Sequence, residues 1–129
     1  MAFAVPACIL RAMSESDVQI ISTPITTERL RELAQRSFGD MIKGVVDTRL
    51  NLLALGGELH SDEELALMEQ GSQQADLWGI NIYVEQPRTE WIEYDSMINI
   101  RPRQNNRSRY VESEEVRKRI CDIVDSLIL

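Results

Sequence analysis

Hydrophobic and polar residues alternate between positions 91 and 101, ahead of an arginine-rich segment that ends at Arg109. Because successive side chains of a strand point to opposite faces of a sheet, this alternation predicts one strand with a core face and a polar face. The predicted core face carries Ile92, Tyr94, Ser96, Ile98 and Ile100. The predicted polar face carries Trp91, Glu93, Asp95, Met97, Asn99 and Arg101.

Four more stretches have the composition of strands. Residues 18–22 form a short β-branched run, and residues 41–46 and 52–59 predict a hairpin. Residues 77–84 alternate in the same way as the stretch from Trp91, so these two strands are expected to pair as a second hairpin.

Three helices are predicted where apolar residues recur every three or four positions after a capping hydroxyl. The first follows Thr26, the second starts at Ser61, and the third follows Ser113. In the second helix, Leu65 and Met68 are expected to face the core.

The order of these elements predicts an α+β fold. We expect an antiparallel sheet of about four strands, built from two hairpins, with the helices packed on one face and the polar face free. Residues 18–129 are expected to form a single domain, and residues 1–17 a mobile N-terminal extension.

Composition narrows the class of protein. The 129 residues are 43% hydrophobic and 27% charged, which is typical of a soluble globular protein. The net charge of −7 argues against a general nucleic-acid or anionic-membrane binder, although a local basic patch leaves RNA as an alternative. No apolar run approaches the length of a membrane span. Cys8 and Cys121 lack the spacing of a metal or disulfide framework, which favours a cytoplasmic protein.

His60 leads the candidate catalytic residues. Histidine is the side chain best suited to move a proton near neutral pH, and Glu58, Glu93 and Asp95 are the carboxylates predicted to act with it. The same carboxylates could help His60 hold a divalent ion, but their spacing matches no metal motif, so no metal site is predicted. The alternative is that His60 is a surface residue before a capped helix.

The arginine-rich segment supplies the candidate ligand-binding residues. Arginine forks match phosphate and carboxylate groups bidentately, so an anionic small molecule is the expected ligand. The predicted ligand-binding residues are Asn81, Tyr83, Asn99, Arg101, Asn105 and Arg107. The alternative is internal: the arginines hold the loop onto Glu93, Asp95, Glu112 or Glu114.

Two functions of different classes are compatible with these residues. The first is a small-ligand or phosphate-ester binding domain, hydrolytic in one version, that uses the polar sheet face and the arginine-rich loop. The second is a non-enzymatic module that binds a protein or RNA, with a homodimer through a sheet edge as one form. The sequence assigns no cofactor.

Several motifs resemble those of a small, uncharacterised prokaryotic family of unknown function. They are Phe-Gly-Asp-Met at 38–41, Gly-Gly-Glu-Leu-His-Ser-Asp at 56–62, Leu-Trp-Gly-Ile-Asn at 77–81, the stretch 91–102 and Asn-Arg-Ser-Arg at 106–109. The resemblance covers roughly residues 19–129. It implies a compact bacterial or archaeal domain and implies no reaction.

Overall fold

The computed structural model describes residues 18–129, so the predicted N-terminal extension and Cys8 lie outside the described residues. The strands are β1 (Gln19–Ile21), β2 (Met41–Asp47), β3 (Leu52–Leu55), β4 (Leu77–Tyr83) and β5 (Ile92–Glu93). The helices are α1 (Thr27–Gln35), α2 (His60–Glu69) and α3 (Glu114–Leu127). Short 3-10 turns cover Gln74–Asp76, Arg88–Glu90, Met97–Asn99 and Pro102–Gln104.

The strands form one open antiparallel sheet in the order β1-β3-β2-β4-β5. The two central strands pair over their whole length, from Met41 opposite Tyr83 to Asp47 opposite Leu77. The edge strands β1 and β5 are only 3 and 2 residues long. Both predicted hairpins are therefore present, and the predicted α+β class is confirmed. The sheet of the described residues has five strands rather than about four, because β1 joins it.

The predicted long strand from Trp91 to Arg101 is wrong beyond Glu93. The Ser96 side chain accepts a hydrogen bond from the Ile98 backbone N–H (3.2 Å), and the chain turns there into the 3-10 turn Met97–Asn99. A serine side chain that bonds to nearby backbone offers an alternative to the ladder of a sheet. Ile100, which the alternation placed in the core, is exposed.

The described helices cover both faces of the sheet, so the prediction that they pack on one face is also wrong. Buried residues of α1 and α3 join one apolar cluster with alternate residues of the central strands, such as Ile42 and Ile80. On the opposite face, Leu67 of α2 packs with Val45 and Leu77. These strand residues make the second face partly apolar, which is why it requires a helix to cover it.

Helix α2 presents a different side to the sheet from the one predicted. Leu65 and Met68 are exposed, whereas His60, Glu63 and Leu67 are buried at positions spaced by three and four residues. The predicted N-caps of α1 and α3 are confirmed, since Thr26 and Ser113 accept backbone hydrogen bonds. The second helix instead begins at His60, after Leu59 donates its N–H to the Asp62 carboxylate (3.3 Å).

Candidate functional site

A cleft of about 210 Å3 opens on the sheet face that α2 covers. It lies between the start of α2, the central strands and the segment that follows β5. Its polar lining consists of Lys43, His60, Ser61, Asn81, Asp95 and Arg109, together with Ser96. The apolar part of the lining consists of Leu59, Met97 and Ile98. The fold thus brings together His60, Asp95 and Asn81 from the predicted site residues.

His60 is held in a defined tautomer. The residue is 8% exposed, and its Nε2 lies 2.8 Å from the Ile80 carbonyl oxygen. A carbonyl oxygen only accepts, so Nε2 carries the hydrogen and Nδ1 carries the lone pair of the neutral ring. Burial lowers the pKa of His60, and the nearby charge of Lys43 lowers it further against the opposing hydrogen bond to Ile80. His60 is therefore a neutral base near pH 7.

The Asn81 side chain links β4 to β5 and to the segment that follows β5. Its Nδ2 donates to the Glu93 carboxylate (2.9 Å) and to the backbone oxygen of Asp95 (3.2 Å). Tyr83 donates its hydroxyl to the same Glu93 oxygen (3.1 Å). The carbonyl oxygen Oδ1 of Asn81 is buried and has no hydrogen-bond partner among residues 18–129. Asn81 is only 6% exposed, so this acceptor belongs to the interior of the protein.

The charged side chains that line the cleft have a net positive charge. Arg109 binds the Asp95 carboxylate with two contacts, Nε to Oδ1 at 2.7 Å and Nη2 to Oδ2 at 3.2 Å. Lys43 makes no ion pair within the described part of the chain, and its ammonium lies 5.5 Å from the centroid of the Phe38 ring. Lys43 and Arg109 against Asp95 give a net charge of +1 in the lining of the cleft.

Glu63 is a buried carboxyl next to this group that sequence reasoning did not assign to the site. It is 0% exposed, and its Oε2 accepts the Gly57 N–H at 2.8 Å. Its other oxygen has no partner within the described residues. Burial raises the pKa of Glu63 well above its ordinary value, against the opposing effects of the hydrogen bond from Gly57 and of the nearby charge of Lys43. The sequence signal that could have identified Glu63 was its position three residues after His60.

Arg101 does not lie at the cleft. Its guanidinium stacks on the Trp78 ring, 4.1 Å from the centroid, and donates to the backbone carbonyls of Gln74 and Leu77. The structure therefore uses Arg101 to hold the loop on the start of β4. The ion pair of Arg109 with Asp95 is of the internal kind that the sequence left as the alternative, whereas Arg101 binds backbone carbonyls and none of the carboxylates named in that alternative.

Asn99 is fully buried and clamps β4 instead of facing a ligand space. Its Oδ1 accepts the Gly79 N–H (2.8 Å), and its Nδ2 donates to the carbonyls of Gly79 (3.0 Å) and Arg109 (3.0 Å). Asn106 organises the arginine-rich loop in a similar way, donating to the carbonyl of Asn99 (2.7 Å). The side-chain amides of Asn99 and Asn106 thus hold in place the loop in which arginines are frequent.

The remaining predicted site residues lie outside the lining of the cleft. Glu58 and Glu93 are exposed, as are Asn105 and Arg107. Glu93 still borders the site, because Asn81 and Tyr83 bind it. Asn105 occupies a left-handed turn with φ of 61°. Whether any of these residues binds a ligand stays a prediction.

The fold and the cleft define a class: an α+β protein whose described part is a five-stranded antiparallel sheet with a polar cleft at the start of one helix. Residues 19–127 match the family described as a protein of unknown function, DUF5674, and the chain belongs to that family. The resemblance to an uncharacterised family is thereby confirmed. No curated protein and no solved structure matches the chain.

Among residues 18–129, no helix is long and apolar enough to cross a membrane. Within the same described range, no three side chains of His, Cys, Asp or Glu come together as potential ligands of one metal ion.

Proposed function

We propose that the chain binds a small anionic ligand of the phosphate-ester class in the cleft. The observation that carries this proposal is the position of Lys43 beside His60 and Asn81 with no ion-pair partner among the described residues. A chain with a net charge of −7 repels anions in general, so a cleft with a net positive lining is a local exception.

The start of α2 adds to the attraction for an anion. Leu59, His60 and Ser61 all line the cleft, and α2 begins at His60. The first N–H groups of a helix lack partners within the helix, and the helix dipole places partial positive charge there. Phosphate groups bind readily at such ends. Lys43 then supplies the full charge and the helix supplies directed donors.

In the hydrolytic version of the proposal, His60 is the general base. Its Nδ1 would take a proton from a water molecule as the water oxygen bonds to phosphorus and the ester P–O bond breaks. The proton held by His60 would then pass to the leaving oxygen, which departs as the alcohol. Of the predicted catalytic residues, His60 and Asp95 line the cleft. Asp95 is held by Arg109, which assigns it to positioning in this scheme.

The charge of Lys43 is the first prediction to test. Lys43→Gln removes the uncompensated cation, and we expect binding of phenyl phosphate, measured by titration calorimetry, to weaken about tenfold or more. Lys118→Gln is the matched control, since this second lysine pairs with Asp122 on α3 (2.9 Å) and does not line the cleft. Equal binding by wild type and both variants would refute the role of Lys43.

The same titrations separate binding from hydrolysis. With 4-nitrophenyl phosphate as ligand, turnover appears as released 4-nitrophenolate, and His60→Gln should abolish it while Lys118→Gln does not. Binding without release of 4-nitrophenolate would identify a binding protein and reject the hydrolytic version.

An interaction module is the second candidate, favoured by exposed apolar side chains around the cleft. Leu59 and Met97 line it and are 58% and 64% exposed, and Leu65 on α2 is 51% exposed. A second copy of the chain would cover these side chains better than it could extend edge strands of 3 and 2 residues. Analytical ultracentrifugation tests this: a dimer that Leu65→Glu dissociates supports it, and a monomer rejects it.

An RNA partner has less support than a protein partner. Two of the four arginines that suggested it, Arg101 and Arg109, bind the protein itself. Arg103 and Arg107 are exposed and keep that hypothesis testable through the salt dependence of RNA binding. The expected location in the cytoplasm of a prokaryote is a prediction from the sequence, which cell fractionation would check.

A further inference from the structure

Large apolar side chains stand at the mouth of the cleft on two of its walls. Leu59 belongs to the wall at the start of α2, and Met97 belongs to the wall formed by the segment after β5. Their exposed fractions are 58% and 64%, and Ile98 lines the cleft next to Met97 in the chain. Single exposed apolar residues are ordinary on a protein surface, but apolar residues grouped in the lining of a pocket favour binding of an apolar group.

The polar residues of the same lining lie deeper than these apolar ones. His60 and Asn81 are only 8% and 6% exposed, and Lys43, which lies opposite Asn81 on the central strand β2, is half-buried. Because this cation extends from the sheet, it attracts the charged end of a ligand toward the interior of the cleft. The rest of such a ligand then extends toward solvent, past Leu59 and Met97.

We infer that the cleft selects phosphate esters of apolar alcohols over esters whose organic part is very short or polar. This inference rests on the proposed binding of phosphate esters at the same cleft. The phosphate lies toward Lys43 and the start of α2, and the organic part packs against Leu59, Met97 and Ile98. Leu59 and Met97 are then specificity-determining residues, because they remove from water a part of the ligand that the cation does not contact.

Three ligands with the same charged group test the selectivity directly: methyl phosphate, butyl phosphate and 3-hydroxypropyl phosphate. Full burial of one methylene group strengthens binding about fourfold. Partial burial of three additional methylenes should therefore make butyl phosphate bind roughly tenfold more tightly than methyl phosphate, as measured by titration calorimetry on the full wild-type chain. The hydroxypropyl ester has nearly the length of the butyl ester but a polar end, so it should bind more weakly than the butyl ester.

Variants connect the selectivity to the mouth of the cleft. Met97→Gln keeps the length of the side chain but makes its end polar, and the ratio of the butyl and methyl affinities should fall to about threefold or less. Met68→Gln is the matched control, since this methionine on α2 is also exposed, at 40%, and does not line the cleft. Lys43→Gln should weaken both esters and keep their ratio. A ratio that falls equally in Met97→Gln and Met68→Gln would overturn the inference.

An apolar phosphate ester can come from solution or from the headgroup of a lipid. The net charge of −7 opposes approach to an anionic membrane, so we expect a soluble ester. Co-sedimentation with phosphatidylcholine vesicles that contain phosphatidic acid separates the two sources. Vesicle binding that is lost in Met97→Gln would identify a lipid headgroup. A preference for butyl phosphate without vesicle binding would identify a soluble ester, and both results support the inference.

The outcomes for the wild type separate this inference from the proposed function. Equal affinity for methyl and butyl phosphate overturns the apolar preference and leaves phosphate-ester binding in place. No heat of binding with any of the three esters, from a chain that still unfolds cooperatively, rejects the proposed function and the inference with it. A dimer that Met97→Gln dissociates, combined with equal affinities, would assign the apolar side chains to a contact between two copies of the chain and would also overturn the inference.

Discussion

Burial acts in opposite directions on two titratable residues of α2. It lowers the pKa of His60 and raises the pKa of Glu63, so in both residues it favours the neutral form. They lie one helical turn apart on the side of α2 that packs against the sheet. The same helix face therefore carries two titratable groups whose charged forms burial disfavours.

Glu63 should make the stability of the protein depend on pH. Because its pKa is higher in the folded than in the unfolded chain, the folded protein binds more protons, and the free energy of unfolding falls as pH rises from about 5 toward the folded pKa. The limiting slope for one group is about 1.4 kcal/mol per pH unit. Glu63→Gln removes the titrating group, so the advantage of this variant over wild type should grow with pH.

Urea denaturation between about pH 5 and pH 8 measures this difference. Glu69→Gln, at an exposed position of the same helix, is the control and should follow the wild-type curve. Parallel curves for wild type and Glu63→Gln would mean that Glu63 does not titrate as described. The comparison between variants isolates Glu63 from His60, whose lowered pKa acts in the opposite direction below about pH 6.5.

The segment after β5 is an element without regular structure that packs closely on β4. Ser96 is 1% exposed and Asn99 is 0% exposed, and Asn99 binds both backbone groups of Gly79. A Cβ atom added to Gly79 would lie 2.5 Å from the Cβ of Ser96. The glycine therefore permits the approach of this segment, which forms one wall of the cleft.

Gly79→Ala should separate this wall from the sheet. We expect it to lower the free energy of unfolding by about 1–3 kcal/mol, the usual cost of overpacking. Gly44→Ala on β2 is the comparison, because its added Cβ would meet the flexible ends of Leu53 and Leu55 at 3.3 Å and the Ala54 carbonyl oxygen at an ordinary contact distance of 3.5 Å, and should cost less. Thermal or urea unfolding measures both, and a larger loss in Gly44→Ala would contradict the close packing of Ser96.

Regular patterns in the sequence predicted regular elements well. The helix caps Thr26 and Ser113 and both hairpins follow from local chemistry, and the structure confirms them. The alternation after Glu93 misled because its residues alternate for different reasons: Ile98 packs on the second face of the sheet, and Asn99 binds Gly79, 20 residues away in sequence. Contacts of that kind leave no periodic signal.

At the scale of the whole molecule, the sequence predicted part of the candidate site. It named His60, Asn81 and Asp95, which the register of β4 and the start of α2 bring to one cleft. It grouped Arg101 with them, but this arginine lies against Trp78. Lys43 was placed there only by the pairing of β2 with β4, which sets it opposite Asn81. Strand register is a property of the folded sheet, so the local sequence could not supply it.

The short edge strands have a consequence for self-association into fibres. An exposed edge of a sheet is a template onto which further strands can add, and long flat edges are the more dangerous ones. In this sheet the 7-residue strands β2 and β4 have neighbours on both sides, while β1 and β5 offer an incoming strand only 3 and 2 residues. Amyloid-like growth would first require an edge strand to detach, so the native protein is protected as long as it stays folded.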